Sequence, residues 1–99
     1  MFRHVVTFSW NETSSPAHIT ELKAALSGLP AAIPEIRRYH FGSDAAINEG
    51  NSDFAVVAEF DDRDGYLVYR DDPEHGRVIA GLIAPYLASR TAVQFDSID

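Results

Sequence analysis

Cysteine is absent from this 99-residue chain. That excludes disulfides, thiolate metal sites and cysteine nucleophiles, and it fits a reducing compartment. Lysine is almost absent too, with Lys23 the single example. Eight Lys and Arg side chains stand against fifteen Asp and Glu, for a formal charge of −7. The only adjacent basic pair is Arg37-Arg38. Binding to nucleic-acid phosphates or to an anionic bilayer draws on clustered cations, so neither partner is expected. No apolar run approaches the ~20 residues of a membrane span. The opening residues alternate instead of forming the apolar stretch of a secretion signal. The chain is therefore expected to be soluble and cytoplasmic. Gly42 and Gly50 lack a phosphate-loop pattern, and no serine stands in a nucleophile elbow. Neither a nucleotide site nor a serine hydrolase is implied, and no cofactor is expected.

What the chain does have is a core. Apolar residues make up 45%, with six Phe, four Tyr and one Trp. The length suits one domain over residues 1–99. A domain this small buries a modest fraction of its surface, and self-association is one way to bury more.

Residues 2–10 read as a strand, with Phe2, His4, Val6, Phe8 and Trp10 on one face and Arg3, Val5, Thr7 and Ser9 on the other. Ser15 before Pro16 suits a helix N-cap with proline at the first helical position. Ile19, Leu22, Ala25, Leu26 and Leu29 then form one apolar stripe, which Gly28 and Pro30 end. Residues 35–43 read as a second strand. Ile36, Tyr39 and Phe41 do not share one period-two face, which points to a bulge or an edge position. Residues 42–53 read as a loop. A third strand covers about 53–60, with Phe54, Val56, Ala58 and Phe60 on one face. Asp61, Asp62 and Asp64 open a second helix, where acids complement the helix dipole. Asp71-Asp72-Pro73 breaks it, and a helical pattern resumes from Glu74 to about Leu82. A last strand covers roughly 90–97.

The order is β-α-β twice. That is the α+β, ferredoxin-like split βαβ plan: one four-stranded antiparallel sheet with helices on one face. The other face would carry Val5, Ala55, Val57, Val93 and Phe95, an apolar patch that soluble monomers rarely expose. A second copy packed against it with two-fold symmetry would cover it, so a homodimer is expected.

Several stretches resemble the stress-responsive A/B barrel domain family, a branch of the dimeric α+β barrel superfamily. They are Met1-Phe2-Arg3-His4-Val5-Val6-Thr7-Phe8 and Asp53-Phe54-Ala55-Val56-Val57-Ala58-Glu59-Phe60 with the acidic turn after it. Tyr69-Arg70-Asp71-Asp72-Pro73-Glu74-His75, the closing Val93 to Asp96, and Leu29-Pro30 with Tyr39 and Gly42 extend the similarity over nearly the whole chain. The resemblance implies two sheets facing each other in a dimeric α/β barrel. Most members have no assigned activity, and the name reflects stress induction in plants. A plant branch contains cofactor-free polyketide cyclases whose active sites resemble His4, Tyr69 and His75. Two positions depart from the pattern: Asp72 stands where His is common, and Gln94 where an apolar residue is expected.

These three residues are the candidate site. A histidine titrates near ~6.5 and moves protons near neutral pH. A tyrosine hydroxyl can donate to a developing enolate oxygen. The opposing reading is structural: buried imidazoles and phenols bonded to carbonyls and hydroxyls. One functional expectation is a non-enzymatic, stress-associated domain holding a small hydrophobic or aromatic ligand inside the subunit. The other is a cofactor-independent cyclase, lyase or monooxygenase-like enzyme, with His75 and His4 as acid/base and Tyr69 polarising a carbonyl. A cavity of roughly 300 Å³ would favour a ligand; a filled interior with both imidazoles on backbone would favour structure. Asp71, Asp72 and Glu74 read as a solvated acidic turn rather than a cation site. His18 and His40 are expected at the surface, and Trp10 as a packing residue. Arg37-Arg38 is read as pairing with acids or keeping a strand edge soluble.

Overall fold

A computed structural model describes residues 1–98. Strand β1 (Phe2–Trp10) leads through helix α1 (Pro16–Ser27) and the one-turn helix α2 (Leu29–Ala32) to β2 (Arg38–Ser43). Strand β3 (Phe54–Phe60) follows, then helices α3 (Arg63–Asp71) and α4 (Pro73–Val78). A π-helical segment (Ile79–Ile83) and a 3-10 turn (Ala84–Tyr86) lead into β4 (Leu87–Asp96). The strands form one antiparallel sheet in the order β2-β3-β1-β4. The ferredoxin-like plan is therefore present.

Local chemistry sets the helix ends. The Ser15 hydroxyl accepts from His18 N, and Pro16 starts α1. Such a cap contributes about 1 kcal/mol. Asp62 accepts from Gly65 N to open α3, and Asp72 accepts from Glu74 N to open α4. The unusual acid before Pro73 is thus a helix cap. Pro30 does not stop the helix path; it sits in the first turn of α2, where a missing N–H costs nothing.

Three expectations need correction. First, β2 starts at Arg38, and Ile36 lies in the turn before it, where its N–H donates to Ile33 O. Tyr39 and Phe41 then share one face, and the β2–β3 register is continuous from Arg38 to Ser43. The strand is an edge without a bulge; the sheet's irregularity falls at Ser9/Trp10 against β4. Second, β4 begins at Leu87 rather than near 90, because Leu87 pairs with Trp10 through a segment poor in β-formers. Third, His18 is buried at 3% exposure.

His18 belongs to the α1 stripe, four residues before Leu22. Its Nδ1 bonds the Ser14 hydroxyl at 2.8 Å and its Nε2 donates to Leu82 O at 2.6 Å. Its ring stacks on Tyr86 at 3.6 Å and meets the edge of Trp10 at 4.9 Å. The imidazole thereby ties α1 to the π-helical segment, whose late carbonyls lack helical partners. His18→Ala is expected to destabilise the protein by about 2–3 kcal/mol, the sum of two lost hydrogen bonds and a cavity. Urea unfolding reads this; a loss below about 0.5 kcal/mol, the range of neutral surface changes, would refute the clamp.

All helices lie on one side of the sheet. Phe2, Val6 and Phe8 from β1 and Phe54, Val56, Ala58 and Phe60 from β3 point there, onto Leu22, Leu26, Leu29 and Tyr69. The opposite face carries Val5 opposite both Val57 and Val93, with Phe95 beside Arg3. No described helix covers it, and Val93 and Phe95 are 54% and 41% exposed. Arg3 and Glu59 pair there at 3.5 Å. Arg37 pairs with Asp61 within the subunit. His40 is exposed and Trp10 packs on Phe8 and Phe54, as expected. No described helix is long and apolar enough to cross a membrane.

Candidate functional site

Between the sheet and α3, α4 and the π-helical segment lies a cavity of about 230 Å³. His4, Tyr69 and His75 all line it. The three come from different places for clear reasons. His4 is an inward residue of β1; Tyr69 is on the buried side of α3; His75 follows the Asp72-Pro73 break that turns α4 back over the cavity. Apolar walls come from Val6, Phe8, Val56, Ile79, Ile83 and Leu87. The volume is below the ~300 Å³ at which ligand sites usually begin. It still exceeds the ~150 Å³ that accommodates benzene.

The polar groups are held individually. Tyr69 stacks on His75 at 4.0 Å and lies 6.2 Å from His4, ring centre to ring centre. His4 Nδ1 accepts from the Gln94 side-chain amide at 2.8 Å. Its proton therefore sits on Nε2. Gln94, which stands where the resemblance expects an apolar residue, is directly opposite His4 in the β1–β4 register. His75 is oriented the other way: its Nδ1 donates to the Arg70 carbonyl at 3.3 Å, with the Tyr69 carbonyl also acting on the ring, so the lone pair falls to Nε2. One imidazole thus offers an N–H and the other an acceptor. Only His75 is bonded to backbone, so the interior matches neither extreme of the structural reading.

Both imidazoles are held neutral. Burial, then the positive charge of Arg90, lowers His4 to about 4, and the neighbouring His75 would oppose a second imidazolium beside it. Burial also lowers His75, against the opposing pull of the Arg70 and Tyr69 carbonyls and Asp72. For His4 the unfolded chain binds a proton near ~6.5, whereas the fold resists it until about 4. Stability is complete above the first value and is lost as pH falls toward the second, by on the order of 2–3 kcal/mol. Urea unfolding at pH 7 and pH 4.5 should show that loss in the wild type, and a smaller one in His4→Asn. Equal losses in both would assign the acid sensitivity elsewhere.

Three more residues belong to this site and are not singled out by the sequence. Tyr39 bonds the Tyr69 hydroxyl at 2.8 Å, oxygen to oxygen. Burial and the contact with Tyr69 push its pKa up, while burial raises Tyr69 to about 12. Tyr66 lies 5.0 Å from His4. Arg90 stands on β4 opposite Phe8. The period-two faces of β2 and β4 carry the signal for Tyr39 and Arg90. The acids of the following turn are engaged locally: Asp71 pairs with Arg70, and Glu74 with Arg77.

A ferredoxin-like sheet with one helical layer and an aromatic, histidine-bearing cavity beneath it defines the class. Residues 2–97 match the profile of the stress responsive A/B barrel domain family, and the chain belongs to that family. A crystal structure from Thermobifida fusca, described as a dimeric ferredoxin-like protein of unknown function, is 49% identical. Its TM-score is 0.90, with 97% of this chain and 90% of that one covered. The hydroxynitrile lyase of Passiflora edulis is 17% identical at TM-score 0.81, covering 95% of this chain and 90% of its own. A protein of Nitrosomonas europaea, provisionally named an antibiotic biosynthesis monooxygenase, is 14% identical at TM-score 0.80 over 100% of both chains. These two show likeness of fold alone. No functionally curated protein matches the chain.

Proposed function

We propose that this protein is a homodimer that binds a ring-sized carbonyl compound in the cavity and moves a proton on it without a cofactor. The observation carrying this reading is the opposed tautomers of the two imidazoles, His4 offering N–H and His75 offering a lone pair. The bare apolar sheet face and the dimeric description of the Thermobifida relative support the dimer.

In this reading His75 Nε2 takes a proton from the carbon beside the carbonyl. The C–H electron pair moves into the new C=C bond, and the carbonyl π pair moves onto oxygen. Tyr69 O–H and His4 Nε2–H donate to that oxygen as its charge develops. Tyr39 donates to the Tyr69 oxygen, which leaves the Tyr69 proton free for the ligand and polarises it. The enolate is the common point from which cyclisation, bond cleavage or reprotonation departs.

The test is exchange of the benzylic protons of phenylacetone in D2O, followed by NMR. The protein should accelerate deuterium uptake over buffer, and the proton-transfer step should be suppressed by a ring-sized ligand without an acidic C–H. Exchange at the buffer rate would overturn the proton-transfer role.

A further inference from the structure

The chain carries fifteen acids and eight bases, yet no acidic side chain lines this cavity. Its two charged lining residues are both cations, Arg70 and Arg90. Arg70 is neutralised by Asp71, through two bonds of 2.9 and 3.1 Å. Among the described residues, the Arg90 guanidinium has no hydrogen-bond or ion-pair partner. Its position is nonetheless fixed by the sheet. Gln94, Ala92 and Arg90 lie in register opposite His4, Val6 and Phe8, on the helix-bearing side of β4. Arg90, Ile79 and Ala84 all line the cavity and are all exposed, so they belong to its open rim. Its charge reaches both imidazoles, which places it within electrostatic range of the whole polar set.

We propose that Arg90 is an anion anchor, and that the cavity takes ring-sized ligands carrying a carboxylate directed at the mouth. This rests on reading the cavity as a ligand site. A guanidinium presents a planar fork of donors that matches a carboxylate with two parallel bonds. An unpaired arginine at the rim of an apolar hollow offers that match without first breaking an ion pair. The acidic surface elsewhere would repel such a ligand, so the anchor also selects the way in.

Benzoate and benzamide separate the two claims, since they share shape and differ in charge. Binding is followed by NMR titration of the His4 and His75 ring protons in 150 mM NaCl. Benzoate should bind about tenfold or more tightly than benzamide, as charge-assisted bonding implies. Arg90→Gln should remove that preference while benzamide binding persists; Arg70→Gln should retain it. Equal affinity of the two probes for the wild type would overturn the anchor and leave the cavity reading standing. A preference that survives Arg90→Gln would also overturn it. Binding of neither probe would overturn both.

Discussion

His75→Ala is expected to slow benzylic exchange by about 10²–10⁴-fold, the usual contribution of a positioned general base. The fold should survive, because the side chain is half-exposed and is held only by contacts to the Arg70 and Tyr69 carbonyls, the first at a long 3.3 Å. His75→Gln guards against the alternative that the imidazole merely braces the helix break. Its amide can still donate to Arg70 O but is no base, so it should be as slow as alanine. The wild-type rate should rise with pH through a value below the ordinary histidine range, since burial depresses His75. Tyr69→Phe should cost less, about 10–100-fold, because one donor to the developing oxygen remains on His4. A His75→Ala rate within roughly threefold of wild type, far under the usual base contribution, would remove the imidazole from the chemistry.

Val57→Asp is expected to split the dimer. Val57 sits at the middle of the uncovered face, opposite Val5, with Val93 across the next strand. A carboxylate there would lose its water in a face-to-face pair of sheets, a cost that the imidazole of His40, opposite it in the β2–β3 register, offsets only in part. The cost is several kcal/mol, which weakens association by about a thousandfold or more. Light scattering should then give a particle near 10.9 kDa in place of twice that mass. In the wild type, Tm should rise with protein concentration, because association draws on the folded state alone. A wild type that is already monomeric at micromolar concentration would defeat the dimer outright.

The order of elements and the composition of both sheet faces are legible because the period of two sorts β1 and β3 onto two faces, and Val5, Ala55 and Val57 make the second face apolar as well. Val5, Val57, Val93 and Phe95 fall on the uncovered side as the period of two requires. The convergence of His4, Tyr69 and His75 on one cavity follows from the same register together with the Pro73 break. Other features were hidden by interactions that one-dimensional patterns do not carry. His18 reads as a polar residue near a helix start, but spacing with Leu22 and Leu26 puts it inward, and Ser14 and Leu82 satisfy it there. Ile36 obscured β2 because a buried residue in a turn looks like part of a strand. Gln94 departs from the apolar residue the resemblance expects because its partner, His4, lies ninety positions earlier in the chain. Arg90 is exposed, so burial gives it no signal; only its register with Phe8 brings it to the cavity.

The wider winding of Ile79–Ile83 sets how Ile79 and Ile83 both face the cavity. Deleting Ala80 would let the stretch close as an ordinary α-helix, and the residues up to Ile83 would shift by up to about 100° and ~1.5 Å before β4 takes up its register again at Leu87. Ile83 would turn away from the hollow, and the Leu82 oxygen would move off the His18 ring. Chain length at this one place is therefore a dial for the size of the chamber, adjustable without disturbing a single strand.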